Sequence, residues 1–341
     1  MTDQRPDTRA ASPESANAPQ KAAPPRPRRS VLYMPGANTR ALEKARTLDA
    51  DALILDLEDA VAPTAKPEAR QFVCDAVKSR GYGTREVVIR VNAPDTPWWE
   101  DDLSAAVAAS PDAVLVPKVS SASDVTEIEQ AITRLSASTG RQPPQLWIMI
   151  ETPRAILNIA EIAETATREG SLLTCLVLGT NDLAKETGAS LDAERIGMLA
   201  WLSMTVAAAR TNGLAVVDGV YNNFRDIEGF RAECQQGVHL GMDGKTLIHP
   251  AQLELANALF APSAEEVERA RKIIAAFASP ENADLGVITV DGKMVERLHA
   301  EIAADTVAVA DAIAARALST AETPEASTTP PVAAQAPAAA E

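Results

Sequence analysis

The sequence predicts an α/β chain folded as a (β/α)8 TIM barrel with a C-terminal, lid-like extension. Three observations carry this. Eight short apolar runs occur in series, helix-patterned segments separate them, and the first run is not followed by a dinucleotide fingerprint. The runs span 31–36, 52–59, 87–92, 113–119, 146–151, 175–182, 214–220 and 238–250. Each is near-continuously apolar, as parallel strands covered on both faces must be. The stretches TRALEKARTLD, ASDVTEIEQAITRLSAS and RAILNIAEIAETATRE repeat apolar residues at the helical i, i+3, i+4 spacing. A doubly wound sheet is the alternative, but MPGANTR is not G-x-G-x-x-G.

The ends of the chain differ from its middle. Residues 1–28 and 321–341 are rich in Pro, Ala and Ser without periodicity and read as disordered tails. Between them, 29–279 forms the barrel and 280–320 the extension. The extension has a short apolar run (VITV), a D-G turn and a long helix, suited to a lid or an oligomer contact.

Composition excludes several function classes. A net charge of −15 provides no basic footprint for nucleic acid. No apolar run reaches the roughly 20 residues that span a bilayer, and no secretory core is present. Cys74, Cys175 and Cys234 are far apart and odd in number, so they read as reduced packing residues of a cytoplasmic protein. With only His239, His249 and His299, proton transfer falls to carboxylates, Arg, Lys or metal-bound water.

Barrel chemistry sits where strands run out at their C-terminal ends. Those ends carry Asp56, Glu58 and Asp59, then Arg90 and Asn92, Lys118, Glu151, Asp182, Asp218, and finally Lys245 and His249. Glu151 closes an apolar run, and Asp182 follows the next strand. Two carboxylates at one mouth suit Mg2+ (or Mn2+), which favours hard oxygen ligands. The competing reading makes each a helix-start acid or cap. Arg90, flanked by valines, needs a partner: a substrate carboxylate, the second-strand acids, or both. Lys118 reads as a partner for nearby acids, with a Schiff-base role as the alternative.

Eight segments in order, among them RRSVLYMPGANTRALEKA, ILDLEDAVAPTAK, VIRVNAPDTPWW, MIETPRAILN, LGTNDLA and LGMDGKTLIHPAQL, closely resemble the HpcH/HpaI aldolase–citrate lyase β-like family, at its CoA-ester lyases. The resemblance implies Mg2+ on Glu151 and Asp182, with Arg90 binding the substrate carboxylate. Glu58, Asp59 and Lys118 would support that site. It implies CoA contacts at Tyr33, Lys44, Ile248 and His249. An Arg often found after the P-G turn aligns with Asn38, with Arg40 nearby. The expected activity is reversible cleavage of a 3-hydroxyacyl-CoA, such as malyl-CoA or citramalyl-CoA, to an acyl-CoA and glyoxylate or pyruvate. A citrate lyase β subunit acting on a carrier-protein thioester and a malyl-CoA thioesterase are the alternatives. The family's extension delivers an Asp to a neighbouring subunit's site as acid/base. The aligned residue here is Glu296, in KMVERLH, which implies a homo-oligomer, trimer or hexamer.

Overall fold

The computed structural model describes residues 26–282 and 284–321. Eight parallel strands close into a barrel in sequence order: β1 (Ser30–Pro35), β2 (Ala52–Asp56), β3 (Glu86–Arg90), β4 (Ala113–Val116), β5 (Gln145–Ile150), β6 (Leu173–Leu178), β7 (Ala215–Asp218) and β8 (Gly244–Leu247). Pairing of Val31 with Thr246 and of Leu32 with Leu247 closes the ring. The helices are α1 (Thr39–Lys44), α2 (Lys66–Lys78), α3 (Trp99–Ala109), α4 (Ala122–Thr139), α5 (Pro153–Leu157), α6 (Ile159–Glu164), α7 (Thr180–Thr187), α8 (Leu199–Thr211), α9 (Ile227–Leu240), α10 (Leu253–Leu259), α11 (Ala264–Ala278) and α12 (Arg297–Ala321). The extension adds a hairpin, β9 (Val287–Val290) and β10 (Lys293–Glu296), turning at Asp291-Gly292, both with positive φ.

Strand parity explains why the apolar runs are unbroken. Val31, Ile54, Val88, Leu115, Trp147 and Val177 pack inside the barrel, while their neighbours Leu32, Leu53, Ile89, Val114, Ile148 and Leu176 pack under the helices. Both faces are buried, so neither face shows polar alternation.

Parity also corrects the strand-end list. Asp218 and Lys245 point outward, away from the mouth. They form a buried network with Arg195 and Glu233: Lys245 Nζ donates to Asp218 at 2.9 Å and to Glu233 at 2.6 Å, and Arg195 Nη1 donates to Asp218 at 2.8 Å. The network ties β7 and β8 to α9.

Other boundaries move for local reasons. Residues 238–240 of the expected eighth strand finish α9, and Gly241, in a left-handed conformation, ends it. Thr180 to Asp182 begin α7 rather than end β6. The stretch 154–169 breaks at Asn158, whose side-chain amide donates to the Ser120 carbonyl instead of continuing one helix. The expected tails fall largely outside the described residues, but Arg28 belongs to the barrel floor. Its guanidinium lies over the Trp147 ring at 4.7 Å and makes two 2.8 Å bonds to Glu86. Among the described residues no helix is long and apolar enough to cross a membrane. The three cysteines are free and buried.

In the extension, α12 packs along α11. Val295 and Ile288 of the hairpin join Ile273, Phe277 and Ala303 in a small core of their own.

Removing one partner from the buried network should be costly. Lys245→Met is expected to lower unfolding free energy by about 3–5 kcal/mol, because Asp218 and Glu233 lose a buried counter-charge. Urea denaturation measures this. Lys272→Met, at an exposed pair with Glu268, is the control and should leave stability almost unchanged. Equal effects would contradict the buried-network account.

Candidate active site

A cavity of about 300 Å3 opens at the C-terminal mouth of the barrel. Tyr33, Asp56, Asp59, Arg90, Met149, Asp182, Asn222 and Ile248 are among its lining residues. It has two halves, one built around a guanidinium and the other around a pair of carboxylates.

Arg90 ends β3 with an inward side chain. Asp56, its register partner on β2, takes Nε and Nη2 at 2.7 Å each. Nη1 is shared by Glu58 at 2.6 Å and Asp59 at 3.4 Å. The Tyr33 ring packs against the guanidinium plane, 4.8 Å from centroid to Cζ. Burial opposes charge on Arg90, but Asp56 more than compensates and holds its pKa above the ordinary guanidinium value. Asp56 is held below the usual carboxylate range despite its burial, through Arg90 and backbone N–H groups of Glu58 and Ala60. The pairing with second-strand acids expected from sequence is therefore present, and it leaves Nη1 as the edge facing the cavity's acids.

Glu58 differs. Burial, aided by neighbouring Asp59, Glu151 and Asp56, outweighs the pull of Arg90 and pushes its carboxyl up to about 8.

Glu151 follows β5 and is buried. Asp182 lies at the third position of α7. Neither caps a helix. Thr152 caps α5, accepting from the Ala155 N–H, and α7 starts at Gly179 without a side-chain cap bond. Lys118 joins the two carboxylates: its Nζ lies 2.5 Å from Asp182 Oδ1 and 3.5 Å from Glu151 Oε1. Its backbone N–H donates to Glu151 Oε1 at 2.8 Å, from a left-handed conformation with φ of 60°. Burial and Asp182 push Glu151 above the usual carboxylate value, with Lys118 opposing.

Gly179 makes the carboxylate pair possible. A Cβ there would lie 2.3 Å from Glu151 Cβ and 2.7 Å from its Oε2. Gly219 is tight in the same way, because its Cβ would meet Thr180 Oγ1 at 2.5 Å. The start of α7 thus rests against β5 on one side and β7 on the other.

Asp56, Glu58, Asp59, Glu151 and Asp182 pair with Arg90 and Lys118, and the Lys66 ammonium, bonded to the Leu57 and Glu58 carbonyls, lies beside the second-strand acids, so carboxylates still outnumber the basic groups among the described residues here. An ammonium already sits between Glu151 and Asp182. Both features fit a site for a hard divalent cation.

The remaining sequence-predicted residues are dispersed. Ile248 lines the mouth and is exposed. His249 stacks on Phe224, with centroids 4.3 Å apart, and its Nδ1 accepts from the Ala251 N–H. Lys44 is exposed at the end of α1, and Asn38 caps that helix by accepting from Ala41 N–H. Glu296 ends β10, exposed, and does not line this chain's own mouth. Sequence reasoning passed over Asn222, which exchanges amide bonds with Asn181 (3.1 and 2.8 Å), and Thr246. The available signals were position after β7 for Asn222 and inward parity on β8 for Thr246.

The family model described as HpcH/HpaI aldolase/citrate lyase matches residues 29–250. The chain belongs to this family. A Cereibacter sphaeroides (strain KD131) relative named (3S)-malyl-CoA thioesterase is 51% identical over 289 residues, covering 85% of this chain and 96% of its own. The citrate lyase subunit beta of Escherichia coli K12 is 36% identical over 273 residues, covering 80% and 89%. A crystal structure of CitE from Mycobacterium tuberculosis in complex with magnesium, acetoacetate and coenzyme A matches with a TM-score of 0.65 and 28% identity, covering 83% of this chain and 97% of that one. The family resemblance and the barrel expected from sequence are both met.

The Glu58 carboxyl gives a pH signature. It titrates near 4.5 when free and near 8 when folded, so the protonated form favours the fold. This contribution is complete below about pH 4.5 and is lost as pH rises through about 8. In the presence of a chelator, Glu58→Gln should therefore flatten the decline in urea stability between about pH 4.5 and about pH 8. Identical slopes in both proteins would contradict the shifted carboxyl.

Proposed function

We propose that this protein hydrolyses the thioester of a (3S)-malyl-CoA-type substrate, using Mg2+ or Mn2+ held by Glu151 and Asp182. The observation that carries the reading is one small mouth holding both a cation-bridged carboxylate pair and a guanidinium with a single contested edge. A 3-hydroxyacyl-CoA with a free carboxylate matches both halves. The name of the 51% identical relatives supports hydrolysis, and the CitE complex supports the metal and the CoA thioester.

Arg90 takes the substrate carboxylate at Nη1 as exposed Asp59 gives way, while Asp56 and the Tyr33 ring hold the guanidinium in plane. When bound, the metal supplies Lewis-acid polarisation of substrate oxygens. First-turn N–H groups of α7, at Thr180 and Asn181, face the charge that develops on the thioester carbonyl oxygen. Tyr33, Lys44, Ile248 and His249 accommodate the CoA arm. The general base that takes the proton from attacking water is Glu296 of a neighbouring copy in a homo-oligomer, trimer or hexamer.

A second reading is favoured by the citrate lyase beta relatives: carbon–carbon cleavage to an acyl-CoA and glyoxylate or pyruvate. It uses the same anchors, with Glu296 protonating the acyl-CoA enolate.

Product analysis separates the two. Purified protein with Mg2+ and malyl-CoA is expected to release malate and free thiol in equal amounts, without any added subunit or carrier protein. Acetyl-CoA and glyoxylate in place of malate would overturn hydrolysis. Glu151→Ala and Asp182→Ala should each lower the rate by roughly a thousandfold.

Shared sites have their own test. Arg90→Ala and Glu296→Gln should each be nearly inactive. Mixing the two under subunit exchange should restore activity, because an intact barrel meets an intact extension. An active monomer, or no restoration in mixed oligomers, would contradict the shared-site arrangement.

A further inference from the structure

Lys118 is the cation that the carboxylate pair already holds. We propose that the Lys118 ammonium is a built-in placeholder for the divalent cation: it keeps Glu151 and Asp182 together in the metal-free protein and is displaced when metal binds. The inference rests on the metal assignment of Glu151 and Asp182.

Three observations carry it. The ammonium contacts both carboxylates at once, 2.5 Å from Asp182 and 3.5 Å from Glu151, so it occupies the space between the two candidate ligands. The same residue grips Glu151 a second time through its backbone N–H. Lys118 makes that grip from a left-handed backbone, which a residue with a side chain adopts at a cost. The grip is independent of the ammonium, so Glu151 stays oriented after the side chain leaves.

The ammonium also has somewhere to go. A separate cavity of about 450 Å3 between α3 and α4 is lined by Lys118, Asp95, Trp99 and Glu127. Asp95 and Glu127 are exposed acids on that cavity. Rotation of the flexible lysine stem would carry the charge from the carboxylate pair into this cavity, where Asp95, Asp124 and Glu127 outnumber Arg134. Lys118 is thus a positioning residue whose charge competes with the metal.

Competition has a sign that ordinary structural support does not. A lysine that merely shapes the site would, when removed, weaken metal binding. A placeholder, when removed, strengthens it, because metal no longer has to break an ion pair. Mn2+ binding to Lys118→Met, followed by electron paramagnetic resonance of free Mn2+, is expected to be roughly fivefold tighter than in wild type. Lys118→Arg, which keeps a permanent charge, should bind no more tightly than wild type.

Thermal unfolding provides a readout that does not depend on catalysis. Metal-free Lys118→Met should melt lower than metal-free wild type, since its two carboxylates face each other uncompensated. Adding Mg2+ should raise its melting temperature by more than it raises that of wild type. Lys118→Gly, which suits the left-handed backbone, carries the same expectations should the Met variant fold poorly. Equal or weaker Mn2+ affinity in the neutral variants overturns the placeholder role. Absence of Mn2+ binding in every protein, wild type included, overturns the metal assignment itself.

Discussion

An excess of negative charge at the barrel mouth is the constraint on which the site depends. Five carboxylates converge there, paired with Arg90 and Lys118 and flanked by Lys66. In a half-buried setting such an excess is costly, and it is relieved by protonation, by an internal ammonium or by an added cation. Two of these reliefs act at this mouth. Glu58 is raised towards its neutral form, and Lys118 spans Glu151 and Asp182. A divalent cation is the third, and the similar CitE structure from Mycobacterium tuberculosis is a complex with magnesium.

The fold sustains that excess by fixing the groups that carry it. Asp56 and Arg90 are register partners on adjacent strands, so their two-bond pairing is set by the barrel rather than by side-chain choice. Gly179 lets α7 start directly against Glu151, and Gly219 lets β7 run directly beside Thr180. Behind them, the outward network of Arg195, Asp218, Lys245 and Glu233 locks β7 and β8 to the helix layer. Asp218 also receives the N–H of Gly219, so the structural layer reaches the wall of the mouth.

Hydrolysis and carbon–carbon cleavage call for the same anchors. Each requires a held carboxylate, polarised oxygens and a movable proton near the thioester. They differ in which bond is attacked, and that depends on where water and the proton carrier sit. The mouth of a single chain holds the anchors, while Glu296 lies exposed on the extension. Under the proposed shared site, reaction choice follows from where a neighbouring copy places Glu296.

Much of the protein was legible in the order of its residues. Eight apolar runs with helical spacers determined the barrel, because burial on both faces leaves unbroken apolar runs in sequence. Strand-end position and residue type brought Arg90, Glu151, Asp182, Lys118 and the second-strand acids forward as candidates. What sequence left open was direction and partnership. Asp218 and Lys245 look as reactive as Asp56 and Arg90 in one dimension, yet a single step of strand parity turns them outward. Asp182 could have been a cap, and Lys118 could have faced any nearby acid. Only the tertiary structure decided these, because parity, register and the approach of α7 at Gly179 determine which charges meet, and charges interact through distance in space rather than separation along the chain.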